Sequence, residues 1–288
     1  MLARIDHVMI CVPDLERGVD AYRRMGWDIR PGGVHPGKGT HNAIAFNAED
    51  YLEVLGLRDR DEYLRASPGG GLLDFLARGG GIRYVAIQSD DLDADVKAMR
   101  SRGVDVGDPE PGARKTPDGR ELRWKAASLG AKNALPIFFL QHLTPLAERR
   151  AGAGPHPNGA LRVDRVYIAV KDVAKEAETY SRVLGLPVPK IQRGAVIKAD
   201  MAVFDLGPTG LVPAEPKESG PAMEALDNRG PGPFQALYRT SGMDAAAKWM
   251  ADHGMPPPAR GVRNTGEHAM LVLPADACGA YIGFVGPA

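Results

Sequence analysis

The chain contains little cysteine, no excess of charge and no long apolar run. Its two cysteines, Cys11 and Cys278, offer neither a disulfide framework nor the spacing of a metal knuckle, which favours a reducing compartment. The 36 basic residues equal the 36 acidic residues in number. The net charge therefore points to neither a nucleic-acid partner nor an acidic membrane surface.

The lack of apolar runs also bears on location. No stretch approaches the roughly 20 apolar residues that cross a bilayer. The first residues, MLARIDHVMICV, enter a strand pattern without the regions of a signal peptide. We therefore expect a cytoplasmic protein with no membrane partner. The 288 residues suffice for two domains, and the 35 glycines and 24 prolines fit many short strands joined by turns.

What the chain does contain is an eleven-residue pattern that occurs four times. It reads IDHVMICVPDL at 5–15, IRYVAIQSDDL at 82–92, VDRVYIAVKDV at 163–173 and PFQALYRTSGM at 233–243. Each copy is typical of a strand that leads into a helix, and each is followed by a helix-stopping glycine: Gly26, Gly103, Gly185 and Gly254. A period of about 70–80 residues is too long for a solenoid repeat and suits a small αβ module.

Each copy is predicted to begin a βαβββ module. Helical spacing of apolar residues follows the strand, as over Val173–Leu184 in the third copy, and alternating runs then predict further strands. The fold class is therefore α+β, with four βαβββ modules that pair edge to edge into two cupped units. The segment ERRAGAGPHPNGA at 148–160 is the best linker. We predict one unit over residues 1–150 and a second over residues 160–288.

The order of these elements, the D-H-V before the first helix and the Y-L-E-V strand near residue 53 resemble the vicinal oxygen chelate superfamily. That superfamily includes glyoxalase I, extradiol dioxygenases, methylmalonyl-CoA epimerase and bleomycin or fosfomycin resistance proteins. The first unit is most similar to glyoxalase-like domains of unassigned function, through IDHVMICVPDL, HPGKGTHNA, YLEVLGL, RKTPDGRELRW and LPIFFLQ. The whole chain resembles the fold, but only residues 1–145 match closely in motif. The resemblance leaves the function open, because the superfamily hosts isomerases, dioxygenases, transferases and binding proteins.

Alternation along the first strand predicts which side chains enter the cup. The face toward the helix carries Val8, Ile10 and Val12, and the face toward the cup carries Ile5, His7, Met9 and Cys11.

The resemblance implies that His7 and Glu53 occupy the metal-ligand positions of the first module, with their polar atoms within about 5 Å of each other. An imidazole and a carboxylate suit one divalent ion such as Zn, Fe, Mn or Ni.

The second module departs from the family's ligand pattern. Tyr84 stands where a second histidine would be, and Phe139 and Gln141 stand near the position of a second glutamate. Phe139 and Gln141 share one face of the last strand, and we expect both to line the cup. A catalytic metal site normally has three protein ligands and one open position, so a half-complete site would bind metal weakly.

Two metal-free interpretations of His7 and Glu53 therefore stay open. The pair could act as a general base and its orienting group, or both residues could have structural roles. If His7 only faces the cup, replacing it with alanine should cost about 1 kcal/mol of stability.

The second unit is predicted to be degenerate. Arg165, Gln235 and Gly283 hold the positions where the family has its ligands. We expect this unit to bind no divalent metal by itself, because an arginine at the first position repels a cation. It would serve as a scaffold or as the wall of a pocket.

Two further segments carry candidate substrate contacts. His41 and Asn42 follow a glycine-rich loop whose backbone could approach a ligand closely. Arg120 and Trp124 flank a hairpin signalled by P-D-G, and Arg114 or Arg123 could hold a substrate carboxylate by a bidentate contact. A plain connecting loop and a solvated hairpin are the alternatives.

Two classes of function follow. The leading one is a glyoxalase-type lyase or isomerase that removes a proton next to a carbonyl of an oxygenated small molecule, with His7 and Glu53 as metal ligands or as acid and base. The alternative is a metal-free binding or resistance-type protein whose cup is walled by aromatic side chains, Tyr84 and Trp124 among them. An extradiol-type dioxygenase is less favoured, because those enzymes carry their ligands in the second unit. The sequence leaves open which compound binds and whether two copies form a homodimer.

Overall fold

The computed structural model describes residues 1–263 and 265–287. The first part of the chain forms an eight-stranded sheet in the order β2-β3-β4-β1-β5-β8-β7-β6. Its strands are β1 (Leu2–Val12), β2 (Arg30–His35), β3 (Thr40–Phe46), β4 (Tyr51–Leu57), β5 (Gly81–Ser89), β6 (Glu110–Lys115), β7 (Glu121–Ser128) and β8 (Ile137–His142). The accompanying helices are α1 (Leu15–Arg24), α2 (Arg60–Ala66), α3 (Gly71–Ala77), α4 (Leu92–Ser101) and α5 (Leu146–Arg149).

The second part of the chain repeats this plan. Its strands are β9 (Ala160–Ala169), β10 (Gln192–Gly194), β11 (Ala199–Met201), β12 (Phe204–Leu206), β13 (Thr209–Pro216), β14 (Gly232–Thr240), β15 (Ala259–Val262), β16 (His268–Val272) and β17 (Tyr281–Val285). They follow the order β10-β11-β13-β9-β14-β17-β16-β15, with β12 beside β13. The helices are α6 (Val173–Leu184), α7 (Pro221–Arg229) and α8 (Met243–Asp252).

The strand pairing confirms the α+β fold class with paired modules. In each sheet the first strands of two modules lie side by side and antiparallel, β1 with β5 and β9 with β14. Each of these strands also pairs in parallel with the last strand of its own module, as β1 does with β4 and β5 with β8. Two modules thus join along their central strands into one curled sheet.

The repeated sequence pattern is explained by helix capping. Asp14, Asp91 and Asp172 are the N-caps of α1, α4 and α6, and each carboxylate accepts a hydrogen bond from a backbone N–H of the first turn. The fourth copy has glycine at this position and no side-chain cap. Each of the four helix-stopping glycines has a positive φ between 71° and 87°, a conformation that side chains with a Cβ rarely adopt.

The two sheets share one continuous core. The cluster of buried residues that contains Val8 and Ile10 of β1 also contains Tyr180 of α6 and Tyr238 of β14. The ring of Trp27 meets that of Tyr238 edge to face at 4.7 Å between centroids. The limits of two separate domains stay a prediction, since this core crosses between the sheets. None of the helices formed by the described residues has the length and apolarity to span a membrane.

The segment predicted as a linker is packed in place. Asn158 is fully buried, and its Nδ2 donates to the Met25 carbonyl at 3.0 Å while its Oδ1 accepts from the Ala160 N–H at 3.0 Å. This segment therefore joins the two halves of the structure as part of the core and does not act as a flexible tether.

Replacing Asn158 with alanine should lower the free energy of unfolding by about 1–3 kcal/mol, because it removes the buried partners of two backbone groups. Chemical denaturation of the full chain measures this change. The control is Asn228→Ala at an exposed position of α7, which should stay within about 0.5 kcal/mol of the wild type. Equal stability of the two variants would show that the segment is a tether after all.

Candidate active site

The eight-stranded sheet curls around a cavity, called the first cup below, and a bulge in β1 sets the geometry of this cup. Ile5 pairs with Ile87 of β5, but His7 pairs with Ala86, so Asp6 is an extra residue in the ladder. Such a bulge breaks the alternation of faces and re-aims nearby side chains. The prediction for Ile5 is wrong for this reason: Ile5 packs in the core with Val8. His7 lines the cup as predicted.

The bulge brings Asp6 against the ring of His7. Oδ1 of Asp6 lies 2.7 Å from Nδ1 of His7, and Oε2 of Glu53 lies 3.3 Å from its Nε2. The second oxygen of Glu53 accepts a hydrogen bond from Nδ2 of Asn42 at 2.5 Å. All four side chains are buried. Both ring nitrogens of His7 therefore face carboxylates, which is the arrangement that an imidazolium requires.

These contacts decide the charge of each group. Burial by itself would lower the pKa of His7, but the hydrogen bonds to Asp6 and Glu53 outweigh it and raise the pKa to about 9. Burial would raise the pKa of Glu53, yet the hydrogen bond and charge of His7 hold it at about 2. The pKa of Asp6 lies below its usual value, because hydrogen bonds to His142 and His7 outweigh its burial. At neutral pH the site thus holds one buried cation between two buried anions.

A second histidine completes the polar wall. Nε2 of His142, at the end of β8, lies 2.7 Å from Oδ2 of Asp6, and Nη1 of Arg149 lies 3.0 Å from the same nitrogen. The ring of Tyr51 stacks on His7 at 4.4 Å between centroids and an angle of 17°. Sequence reasoning did not select Asp6, Tyr51, His142 or Arg149, although the alternation along FFLQH contained a signal for His142.

The predictions for Phe139 and Gln141 are wrong. Phe139 is fully buried in the core, on the helix side of the sheet. Gln141 accepts from the Leu92 N–H at 3.1 Å and donates to the Asp90 carbonyl, so it holds the start of α4. Phe139 and Gln141 do share a face of β8, but this face points toward the helices and not into the cup. The cup receives the alternate residues of β8: Phe138, Leu140 and His142.

The same alternation separates His41 from Asn42 on β3. Asn42 lines the cup. His41 is on the opposite face, where its ring lies beside Gly56, next to Leu15 of α1. The prediction that both residues contact the substrate is therefore wrong for His41.

Three predicted residues form the rim of the cup. Tyr84 and Trp124 line it, as does Arg114. Nη1 of Arg114 donates to the carbonyl oxygen of Gly32. Because Arg114 is on β6 and Gly32 on β2, this bond joins the two edge strands of the sheet and closes the cup on that side. Whether any of these side chains contacts a substrate stays a prediction.

The donor set around His7 does not fit a resident divalent ion. The 3.3 Å between Nε2 of His7 and Oε2 of Glu53 would suit two ligands of one metal. A catalytic site needs a third, however, and Asp6 lies behind the ring at Nδ1. Nowhere in residues 1–263 and 265–287 do three His, Cys, Asp or Glu side chains come together as metal ligands. The two side chains instead satisfy each other as an ion pair.

The second unit uses the same bulge with different side chains. Leu237 pairs with Arg165 and Tyr238 with Val163, so Asp164 is the extra residue of β9. Its carboxylate lies 2.9 Å from Nε of Arg239 and 3.0 Å from Nη1 of Arg263. Both arginines also pair with Glu267. The equivalent of the Asp6 site is thus a closed network of ion pairs.

Comparisons with known proteins agree with this architecture. A family model described as a glyoxalase-like domain matches residues 5–184. A hypothetical protein from Staphylococcus aureus superposes with a TM-score of 0.68 at 13% identity, over 99% of this chain and 100% of its own. A mutant of 4-hydroxymandelate synthase from Streptomyces coelicolor superposes with a TM-score of 0.68 at 15% identity, over 99% and 92% of the two chains.

A fusion of a xylose isomerase-like TIM barrel with 4-hydroxyphenylpyruvate dioxygenase superposes with a TM-score of 0.62 at 11% identity, over 99% of this chain and 49% of its own. Identities this low establish the fold alone. A search among curated protein sequences finds no match.

Replacing His7 with alanine should cost about 3–5 kcal/mol near pH 6, not about 1, because it leaves Glu53 as a buried charge without its cationic partner and leaves Asp6 with His142 alone. The raised pKa of His7 fixes the sign of the pH dependence. Its contribution is complete below the ordinary value of 6.5 and is lost as the pH rises through about 9. The stability gap between the two proteins should therefore narrow over this range.

Urea denaturation of both proteins across that pH range measures the gap. His41→Ala is the matched control and should show no such change. A gap that is small at every pH would contradict the ion-pair geometry.

Proposed function

Because the chain belongs to the glyoxalase-like domain family, we propose that its first cup binds a small oxygenated molecule and transfers a proton beside a carbonyl group, as lyases and isomerases do. The observation that carries this proposal is the contact of 3.3 Å between His7 and Glu53 on the wall of the cup. It places a charged donor and a charged acceptor within reach of one ligand. The cavity of about 560 Å³ is in the size range of small-molecule sites.

The two groups would divide the reaction between them. The N–H at Nε2 of His7 donates to the carbonyl oxygen of the ligand, and Oε2 of Glu53 accepts a proton from the adjacent carbon. The C–H bond breaks and its electron pair moves into an enolate, whose oxygen the imidazolium stabilises. Return of the proton to the opposite face of the same carbon completes an epimerisation, which is one kind of isomerisation. Departure of a leaving group from the next carbon completes an elimination.

Substrate binding would also make Glu53 a better base. The pKa of Glu53 is low because of its hydrogen bond to His7 and the charge of that ring, which outweigh its burial. When the His7 N–H turns to a ligand oxygen, Glu53 loses that bond in a cup from which water is displaced, and its pKa rises. Asp6 stays bonded to Nδ1 and keeps the ring charged and oriented.

One observation favours the alternative, a binding or resistance-type protein. Aromatic rings surround the polar groups, with Phe46, Tyr51, Trp124 and Phe138 in the wall of the cup. Such a wall suits a planar compound that is held without turnover. An extradiol-type dioxygenase is not supported, because the ligand positions of the second unit hold Arg165, Gln235 and Gly283.

Hydrogen exchange separates the two functions. The wild type should exchange the hydrogens next to the carbonyl of enolisable ketones, 2-oxo acids or their esters with D₂O, as followed by NMR. Glu53→Gln should slow this exchange by about 10²–10⁴-fold, the usual contribution of a general base, while His41→Ala should match the wild type. Ligand binding without any exchange by the wild type would identify a binding protein.

A further inference from the structure

The first cup carries cationic side chains that lack anionic partners. Apart from its histidines, the cup is lined by four basic residues, Lys38, Arg83, Arg114 and Arg149. Its lining contains one acidic residue among the described residues, Glu53. Among the described residues, none of the three arginines forms an ion pair with a carboxylate. Glu53 is already occupied by His7 and Asn42. The balance of charge in the cup therefore favours an anionic ligand.

The second unit gives an internal comparison. At the equivalent bulge Arg239 and Arg263 share the carboxylates of Asp164 and Glu267. The arginines at the bulge of the second unit are thus neutralised by carboxylates. The arginines that line the first cup have no such carboxylate partners among the described residues.

Two of the three arginines have other partners. The guanidinium of Arg114 donates to the Gly32 carbonyl and closes the cup. That of Arg83 lies over the rings of Phe75 and Tyr84, at 5.1 and 5.3 Å from their centroids, where cation–π attraction compensates part of its charge.

The third arginine, Arg149, is incompletely satisfied. Its Nη1 reaches Nε2 of His142 at 3.0 Å, and its Nε is buried without a hydrogen-bond partner in the described part of the chain. Partial burial of a guanidinium without an acceptor is unfavourable. A planar carboxylate would satisfy its donors by the fork-to-fork geometry that arginine prefers.

We infer, resting on the proposed function, that the substrate is a carboxylic acid whose carboxylate binds Arg149 while its carbonyl lies between His7 and Glu53. Asp6 connects the two ends of this site, because its two oxygens bond to His7 and His142, each at 2.7 Å, and Arg149 lies beside His142. The apolar remainder of the acid would contact Phe46, Phe138 and Leu140.

Binding of matched carboxylates and amides tests this assignment. By calorimetry the wild type should bind 3-phenylpropanoate at least about tenfold more tightly than 3-phenylpropanamide, since each 1.4 kcal/mol corresponds to tenfold. Arg149→Gln should remove this preference, so that the acid and the amide bind with similar affinity. Arg149→Lys keeps the charge but not the forked guanidinium, so its preference for the acid should lie between those of the wild type and of Arg149→Gln. Arg123→Gln, an exposed position on β7, controls for the loss of one positive charge.

Equal affinity of the wild type for acid and amide, or a preference for the acid that survives Arg149→Gln, would overturn the inference. A separate exchange measurement uses 2-oxo-4-phenylbutanoate and its methyl ester. Exchange of both compounds with equal efficiency would support the proposed function but overturn the role of Arg149. Arg149-dependent binding of 3-phenylpropanoate without exchange of either oxo compound would support the carboxylate site and overturn the proposed enzyme.

Discussion

The buried carboxylate of Asp6 is the group on which the first cup depends. One of its oxygens holds Nδ1 of His7 and the other holds Nε2 of His142, so it orients two cup-lining rings at once. A buried anion is tolerated only where it is paired and hydrogen-bonded. Its charge in turn helps to keep His7 protonated, and the protonated His7 keeps Glu53 ionised. Loss of His7 would leave Glu53 without its cationic partner, and loss of Asp6 would leave His7 with one carboxylate instead of two.

The duplication of the chain shows that one backbone device serves two purposes. Asp6 and Asp164 occupy the same bulge in β1 and β9. In the first unit the carboxylate faces the imidazole rings of His7 and His142, and imidazole is a group that donates or accepts protons in catalysis. In the second it faces arginines, which stay charged. The second site is therefore a fixed structural network, whereas the first retains groups that can move protons, on the same fold.

Local patterns predicted the fold, but the site only in part. Helix α6, which belongs to the third copy of the repeat, begins and ends at the predicted Val173 and Leu184. Its bounds are predictable because the capping Asp172 and the stopping Gly185 are local signals in the sequence. The proximity of His7 and Glu53 is predicted by the resemblance to the vicinal oxygen chelate superfamily and not by a local pattern. Asp6 was missed because a bulge depends on the partner strand. Gln141 was misplaced because alternation gives pairs of residues that share a face without saying which face is inside. Arg149 comes from a short helix after the sheet, and no local pattern links it to His7.

The charge of His7 is the central claim, and an NMR titration of its ring nitrogens tests it most directly. Both nitrogens should stay protonated at neutral pH, with a pKa of about 9. Asp6→Asn should move the pKa of His7 back toward its ordinary value, since the lost carboxylate is one of the two groups that raise it. A His7 that titrates near 6.5 in the wild type, or that is unaffected by the loss of the Asp6 charge, would contradict the account.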